Sequence, residues 1–302
     1  MTDGVFRYPS QFLGLEPEFS APQTSAVWVL PIPLEMTTSY MGGTKMGPSA
    51  LIEASIQVEL FDPEIGAEGA LRYGIHTLPT LHPPLASAEG AVEAITEAVS
   101  ALNLEDRLLV TLGGEHTITP GVVHALTLKH PELVLVQIDA HADLRDTFDG
   151  TAYSHACAMR RSLNVVSHLY QFGIRSVCIE ESIFMRESSK VTTWSAENLH
   201  VDRARRHLAD IQEMLHGRPV YLTIDLDGLD PSVIAAVGTP EPGGINWYDC
   251  LDLIRAVVSG GSVIALDCVE LCPTIGQQAS AFAGAKLIYK TINLIMRQRG
   301  KI

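Results

Sequence analysis

Residues 133–143, LVLVQIDAHAD, join a largely apolar run to an acidic segment that follows it directly. The run is rich in Val and Leu and does not alternate with polar residues, which is typical of a parallel strand covered by helices on both faces. A second such run, residues 219–224 (PVYLTI), leads directly into Asp225 and Asp227. Because ligands of open α/β sheets bind beyond the carboxyl ends of the strands, both acidic segments are predicted to lie at the functional edge of one sheet.

Strand-like and helix-like segments alternate along the whole chain. We expect strands at residues 26–31, 71–77, 107–112, 133–138, 168–173, 176–180, 219–224 and 262–267, and helices at 48–60, 89–102, 117–129, 201–216, 247–258 and 278–298. This alternation predicts an α/β fold, a three-layer α/β/α sandwich with a mainly parallel sheet. A chain of 302 residues is within reach of one α/β domain, so residues 1–302 are expected to form a single catalytic domain.

The acidic segments supply candidate metal ligands. Residues two apart in an extended backbone share a face, which predicts that Asp139, His141 and Asp143 converge. The same reasoning applies to Asp225 and Asp227. Four carboxylates at one sheet edge would repel one another unless cations held them, and two divalent ions cancel their charge.

A third segment, residues 113–116 (GGEH), adds an imidazole to this set. It follows the strand-like residues 107–112 and precedes a helix predicted to begin near Thr117 or Thr119. The glycines are expected to permit a tight strand-to-helix turn that points His116 at the same crevice. Two imidazoles and four carboxylates favour manganese over zinc, which prefers sites richer in nitrogen and sulfur, while cobalt, nickel and iron stay open as alternatives.

Five motifs in a fixed order carry a family resemblance. They are GGEH (113–116), DAHAD (139–143), SHACAM (154–159), DLDGLDPS (225–232) and GTPEPGG (238–244). With these motifs the chain resembles the ureohydrolases, the family of arginase and agmatinase, and most closely the bacterial and archaeal agmatinases. The resemblance extends from residue 37 to residue 270 and therefore covers nearly the whole chain.

The resemblance implies two Mn²⁺ per subunit and a role for each ligand. The terminal ligands would be His116 and Asp143 for one ion and His141 and Asp227 for the other, and the bridging ligands would be Asp139 and Asp225. A hydroxide held between the two ions is expected to attack the guanidinium carbon, because metal ions lower the pKa of bound water.

Three further residues match family positions that face the substrate. Glu270 is expected to orient the planar guanidinium group through a pair of hydrogen bonds. His155 is expected to carry a proton to the leaving amine or to the metal-bound water. Thr239 matches a threonine that lies beside the guanidinium group. Glu270 and His155 are thus the predicted catalytic residues, and all three are predicted to bind substrate.

The resemblance implies hydrolysis of agmatine to putrescine and urea, a step of polyamine biosynthesis. Guanidinobutyrase, arginase and formiminoglutamase activities are alternatives. Residues 144–154 are expected to line the entrance, where Asp146 and Asp149 outnumber Arg145 and favour a cationic substrate tail. If Asp146 only pairs with Arg145 this argument lapses, and if Arg145 points into the pocket a carboxylated substrate is favoured. Residues 271–278 depart from the acidic stretch of many agmatinases, which leaves the substrate open.

Other classes of protein fit the sequence less well. A zinc-dependent deacetylase of related fold would leave the two-metal ligand set unexplained, and a scaffold with a vestigial site would have lost a ligand. A dinuclear phosphatase would need a Gly-Asn-His-Asp/Glu segment, which the sequence lacks. Asp230, which precedes Pro231, is expected to form a turn rather than to bind a metal.

Composition indicates the partners and the compartment. The net charge of −14 argues against nucleic acid as a partner and suits a small cationic guanidino substrate. Five cysteines without a disulfide-like spacing fit a reducing compartment. The sequence shows neither a signal-like start nor an apolar run long enough for a membrane, so a cytoplasmic protein is expected. The resemblance implies a homo-oligomer, either a trimer or a hexamer.

Overall fold

The computed structural model describes residues 11–202 and 205–302. In that part of the chain the strands are β1 (Val27–Ile32), β2 (Phe61–Asp62), β3 (Ala67–Glu68), β4 (Ile75–Thr77), β5 (Leu108–Gly113), β6 (Val134–Ile138), β7 (His168–Ile174), β8 (Val191–Ser195), β9 (Pro219–Asp225) and β10 (Ser262–Val269). The helices are α1 (Pro17–Ser20), α2 (Gly47–Ser55), α3 (Ala70–Tyr73), α4 (Ala88–Ser100), α5 (Ile118–Thr127), α6 (Ala158–Ser162), α7 (Ile179–Glu187), α8 (Ala196–Val201), α9 (Arg206–Met214), α10 (Trp247–Gly260) and α11 (Gln278–Gln298).

Eight of these strands form one sheet, in the order β4-β1-β5-β10-β9-β6-β7-β8. Every pairing within it is parallel, and β2 and β3 form a separate antiparallel pair. Helices cover both faces, so the predicted α/β/α sandwich is confirmed. None of the helices in the described residues has the length and apolar character that crossing a bilayer requires.

The two faces of β6 show why its sequence is apolar without alternation. Val134, Val136 and Ile138 lie in the core on the side of α2, α10 and α11. Leu133 and Leu135 lie in the core on the side of α4, α5 and α6. Burying a Val or Leu side chain fully contributes about 1.5–3 kcal/mol, so both faces of this central strand stabilise the sandwich.

The edge strand next to β7 does not lie where a strand was predicted. Residues 176–180 were expected to form a strand, and this prediction is wrong because α7 begins at Ile179. The Glu181 side chain accepts a hydrogen bond from the Cys178 backbone N–H at 2.9 Å, in a capping box that starts the helix. The true edge strand, β8, is half-buried and rich in threonine, so a search for apolar runs does not find it.

Two other segments also differ from the predicted elements. The strand expected at residues 71–77 is shorter, because the chain forms α3 before β4 begins at Ile75. The helix expected at residues 201–216 is shorter: α9 covers Arg206–Met214, whereas α8 ends at Val201, where the predicted helix begins. Residues 203–204 lie outside the described part of the chain. Neither difference touches the carboxyl edge of the central strands.

Candidate active site

Four neighbouring strands at the centre of the sheet, β5, β10, β9 and β6, position the candidate site. Asp139 directly follows β6, Asp225 is the last residue of β9, and Glu270 directly follows β10. His116 lies three residues after the end of β5. The predicted residues therefore meet at one edge of the sheet, where parallel strands place their ligand sites.

His116 lies at the centre of a buried cluster of carboxylates. Its Nδ1 atom is 3.2 Å from Asp139 Oδ2, 3.0 Å from Asp143 Oδ2 and 3.2 Å from Asp225 Oδ2. Among the described residues this buried nitrogen has no hydrogen-bond partner, despite the three nearby oxygens. One imidazole nitrogen with three carboxylate oxygens this close to it is a ligand set that fits a divalent cation.

A second cluster forms around His141. Its Nδ1 atom is 3.0 Å from Asp227 Oδ2 and 3.7 Å from Asp139 Oδ1. Asp139 thus offers one oxygen to each cluster, as expected of a bridging ligand, and it belongs to both groups of residues able to hold a metal. Asp225 belongs to the first group only. Its bridging role stays a prediction.

The backbone brings these ligands together by a different route from the predicted one. Asp143 has a φ of 54°, so the extended conformation does not continue through it. Asp227 lies in a short 3-10 turn after β9, and its N–H donates to Asp225 Oδ1 at 3.0 Å. The residues converge as expected, but turns rather than alternation along a strand aim them. Positive φ at a non-glycine residue is uncommon and concentrates at functional sites.

Crowding makes the carboxylates hard to ionise together. Burial, and then the charge of Asp139, raise the pKa of Asp143 to about 7. Burial also raises the pKa of Asp225 and of Asp227, and neighbouring carboxylates raise both further. The clusters are therefore stable in their fully ionised form only with cations between them.

The glycines of the GGEH segment serve close packing rather than a left-handed turn. Neither Gly113 nor Gly114 has a positive φ. A Cβ on Gly114 would lie 2.0 Å from the Leu34 carbonyl oxygen. A Cβ on Gly113 would lie 2.6 Å from both Ile118 Cδ1 and Val269 Cγ1. The strand-to-helix turn forms as expected between Gly113 and Ile118, and the glycines permit it because these positions have no room for a side chain.

Glu270 lies beside the first cluster with an unusual backbone. Its φ is 65°, and its Oε1 accepts a hydrogen bond from the His116 N–H at 2.7 Å. Burial raises the pKa of this carboxyl, and the nearby Glu115 charge raises it further. A cationic guanidinium group beside Glu270 would offset both effects, which fits the predicted role of this residue.

His155 and Thr239 lie at the same edge. The Thr239 hydroxyl donates to Asp227 Oδ2 at 3.4 Å, which places it next to the second cluster. The edge of the His155 ring meets the Phe148 ring in a T-shaped arrangement, with centroids 5.8 Å apart. Burial, and then the charge of His141, lower the pKa of His155 to about 4. At neutral pH the imidazole is therefore in its neutral form, which is the form that a proton acceptor needs before the reaction.

At the predicted entrance, Asp146 pairs with an arginine outside residues 144–154. Asp146 does not pair with Arg145, because its carboxylate accepts from Arg161 Nη2 at 2.6 Å. The Arg145 guanidinium instead lies 5.0 Å from the centroid of the Phe148 ring. With Asp146 neutralised by Arg161, Asp149 is the remaining acid of the pair that was taken to favour a cationic tail.

Sequence reasoning missed a buried pair of amides behind Asp139. Gln137 Nε2 donates to Asp139 Oδ2 at 2.7 Å, and Gln171 Nε2 donates to Gln137 Oε1 at 2.6 Å. Thr193 in β8 donates to Gln171 Oε1 at 2.9 Å, which completes a line of hydrogen bonds. The signal was visible, since a glutamine inside each of two apolar strands requires a buried polar partner.

Arg175 was also missed, and it holds the turns that present Asp227 and Thr239. Its guanidinium donates to five carbonyl oxygens, those of Gly173, Asp227, Gly228, Glu241 and Pro242. Asp230 acts in the same region, where Oδ2 accepts from the Gly243 and Gly244 N–H groups. Asp230 therefore shapes a turn, as predicted.

The fold and the site together define a metal-dependent hydrolase. Residues 25–293 match the arginase family, and the chain belongs to that family. Its members depend on a binuclear metal centre, and this chain is accordingly a hydrolase that acts on guanidino C–N bonds.

Individual relatives are similar over nearly their full lengths. The N(1)-aminopropylagmatine ureohydrolase of Synechocystis sp. is 39% identical, over 93% of this chain and 92% of that protein. The agmatinase of Bacillus cereus is 32% identical, over 87% of this chain and 88% of that protein. The crystal structure of agmatine ureohydrolase of Thermoplasma volcanium superimposes with a TM-score of 0.86 at 27% identity, covering 99% of this chain and 98% of that one.

Proposed function

We propose that this chain hydrolyses the guanidino group of a linear guanidine with an amine tail, releasing urea and a polyamine. N1-aminopropylagmatine is the preferred substrate of the proposal, because the Synechocystis relative that carries this name is 39% identical, against 32% for the Bacillus cereus agmatinase. Agmatine, which would give putrescine, is the second candidate. The observation that carries the reaction type is the pair of imidazole–carboxylate clusters that share Asp139.

The proposed cofactor is two Mn²⁺ per subunit, held by the six clustered side chains His116, Asp139, His141, Asp143, Asp225 and Asp227. The orphaned Nδ1 of His116 and the raised pKa values of the buried carboxyls support this assignment. When bound, the two ions would act as Lewis acids that make water nucleophilic at neutral pH. A homo-oligomeric assembly and a cytoplasmic location complete the proposal.

The substrate is proposed to bind with its guanidinium against Glu270 and beside Thr239. Glu270 Oε1 already accepts from the His116 N–H, so this carboxylate is fixed relative to the first cluster. A fixed carboxylate can hold the planar guanidinium with its carbon toward the clusters. Thr239 is held next to Asp227 by its hydroxyl and would border the same group.

Hydrolysis forms a C–O bond to the guanidinium carbon and breaks the C–N bond to the substrate chain. The departing nitrogen must gain a proton, because an amide-like anion is a very poor leaving group. His155 is proposed to move this proton, taking it from the attacking water and giving it to the nitrogen. Urea and a protonated primary amine result: the amine also takes the second proton of the water and so carries the positive charge of the original guanidinium.

Urea release by manganese-loaded protein is the experiment that tests the proposal. N1-aminopropylagmatine, agmatine, arginine and 4-guanidinobutyrate are compared in parallel, with a chelated sample as control. Urea from the two amine-tailed substrates alone, abolished by chelation, is the expected result. Urea from arginine or 4-guanidinobutyrate in preference to them would overturn the proposed substrate class.

A histidine pair tests whether the metal clusters are responsible. His141→Gln removes the imidazole that lies 3.0 Å from Asp227. It should abolish urea release and lower the amount of bound manganese. His200→Gln changes an exposed histidine outside the site and should leave both values at the wild-type level. Equal activity of the two variants would contradict the assignment of the second cluster.

A further inference from the structure

A chain of hydrogen bonds links His155 to a buried carboxylate through one hydroxyl. Thr37 Oγ1 is 3.1 Å from His155 Nδ1 and 3.0 Å from the His155 backbone nitrogen, which donates to it. On its other side the same hydroxyl donates to Glu115 Oε1 at 3.1 Å. Thr37 follows β1, Glu115 follows β5 and His155 follows β6, so three separate segments meet at this hydroxyl.

Glu115 is arranged as an acceptor. Its Oε2 accepts from the Thr37 N–H at 2.7 Å and from the Met36 N–H at 3.0 Å, which leaves Oε1 for the Thr37 hydroxyl. Burial raises the pKa of Glu115, and the hydrogen bonds donated by Thr37, Met36 and the Thr117 hydroxyl oppose that rise. The side chain is fully buried, and the Thr37 hydroxyl, 3.1 Å from Oε1, is a donor that such a buried oxygen needs.

We propose that Glu115 and Thr37 are positioning residues that hold His155 with its proton on Nδ1 and leave Nε2 as the free ring nitrogen. A hydroxyl has one proton and two lone pairs. If the Thr37 hydroxyl donates its hydrogen bond to Glu115, Thr37 Oγ1 can accept from the His155 backbone N–H and from a protonated Nδ1. The one proton and both lone pairs of the hydroxyl are then used.

The opposite arrangement is disfavoured by charge. If Thr37 donated to Nδ1 instead, Glu115 Oε1 would lose a charge-assisted hydrogen bond in a buried setting. The Ser154 hydroxyl, 3.3 Å from Nδ1, can donate or accept and does not decide the tautomer. The Thr117 hydroxyl lies 3.4 Å from Thr37 Oγ1 and is the longest of the contacts.

The consequence for catalysis rests on the proposed function of His155. An Nδ1–H tautomer offers Nε2 as the proton acceptor, so one ring nitrogen is ready before substrate binds. The hydrogen bonds from His155 to Thr37 and from Thr37 to Glu115 thus fix the tautomer and the ring orientation of His155, although neither positioning residue touches the substrate.

Three substitutions separate this role from simple packing. Thr37→Val keeps the shape and removes the hydroxyl, and kcat should fall about 10- to 100-fold with KM unchanged, the range typical when an outer partner of a histidine is lost. Thr37→Ser keeps the hydroxyl and should restore most of kcat. A packing role predicts the reverse order, because valine preserves the volume and serine does not.

Glu115→Gln gives the sharpest readout, because it should reverse the direction of the hydrogen bonds that link residue 115, Thr37 and His155. The glutamine oxygen would accept the two backbone N–H groups, and its NH₂ would face the Thr37 hydroxyl. That hydroxyl would then donate to Nδ1 and force the proton of His155 onto Nε2.

Thr96→Val is the matched control, since the Thr96 hydroxyl donates only to carbonyl oxygens of α4 and α5, and it should keep the wild-type kcat.

Nitrogen-15 NMR of histidine-labelled protein tests the inference without turnover. Diamagnetic Zn²⁺ replaces manganese, and the His155 signals are assigned by their loss in His155→Gln. A proton on Nδ1 in the wild type and on Nε2 in Glu115→Gln is the expected result. A proton on Nε2 in the wild type, or equal kcat in Thr37→Val and wild type, overturns the inference. If the wild type shows Nδ1–H but releases no urea, the proposed function fails and the tautomer assignment stands.

Discussion

Replacing Gly114 by alanine should damage both stability and activity. The new Cβ would lie 2.0 Å from the Leu34 carbonyl oxygen, and Cβ contacts under 3.0 Å are essentially never observed, so the backbone must move by about 1 Å. Three backbone hydrogen bonds cross this point, from Gly114 to Ile32, from Glu115 to Leu34 and from Glu270 to Gly114. Weakening all three at about 1 kcal/mol each gives a loss of about 3 kcal/mol in the free energy of unfolding.

Alanine substitutions at two other glycines give equal or smaller predicted losses of stability for comparison. In Gly113→Ala the Cβ would lie 2.6 Å from Ile118 Cδ1 and Val269 Cγ1, which are side-chain atoms of buried residues rather than backbone, so the cost should be about 1–3 kcal/mol, at or below that of Gly114→Ala. In Gly90→Ala, within α4, the nearest atom is Ser87 Oγ at 3.1 Å, and stability should hold or rise slightly.

Denaturant unfolding and urea release are measured on all three variants. Gly114→Ala should show the lowest midpoint and lose turnover, because the shift carries Glu115 and its neighbour His116 away from the clusters. A Gly114→Ala protein within about 0.5 kcal/mol of the wild type and with full turnover would refute the close-packing argument.

Asp225→Asn should lower manganese occupancy and turnover together, because it removes a charge 3.2 Å from His116 Nδ1; two equivalents of metal by atomic absorption with full activity would contradict this. Glu270→Gln keeps an acceptor for the His116 N–H but loses the charge that faces the guanidinium, so kcat/KM should fall about 10- to 100-fold with metal retained, and unchanged kinetics would exclude the orienting role. Hydrogen bonds from Arg255 lower the pKa of Glu64 from 4.5 to about 2, so its stabilisation is present above the unfolded pKa and is lost as pH falls through the folded one. The difference in the free energy of unfolding between wild type and Glu64→Gln should therefore be small, below about 1 kcal/mol, at neutral pH and should vanish near pH 2; a difference that grows on acidification would contradict the ion pair.

The central part of the fold could be predicted because burial and sequence pattern agree there. β6 and β9 are covered on both faces, so their apolar runs mark them directly. At the edge of the sheet, the sequence pattern no longer indicates the strand. β8 (VTTWS) is half-buried and polar, and its place in the sheet comes from pairing with β7, which no local pattern encodes.

The candidate site was predictable in its residues and not in its geometry. Carboxylates after strand ends indicated which side chains converge, since parallel strands end at one edge. The positive φ of Asp143 and Glu270 could not be predicted, because aspartate only tolerates this conformation more often than most residues and glutamate has no such preference. The pairing of Asp146 with Arg161 was equally hidden, since it depends on how residues 144–154 fold back onto α6.

The order of the central strands also bears on how the enzyme is made. β5 lies beside β10, and their paired residues are separated by on the order of 150 positions in the chain. When Asp143 has just emerged from the ribosome, the nascent chain holds four of the six predicted ligands, but β9, which carries Asp225, and β10, which lies beside β5, have not yet been made. Metal capture by the nascent protein should therefore wait until the last strand has emerged and inserted between its two older neighbours. Metal uptake during synthesis would mark the moment at which the sheet is complete.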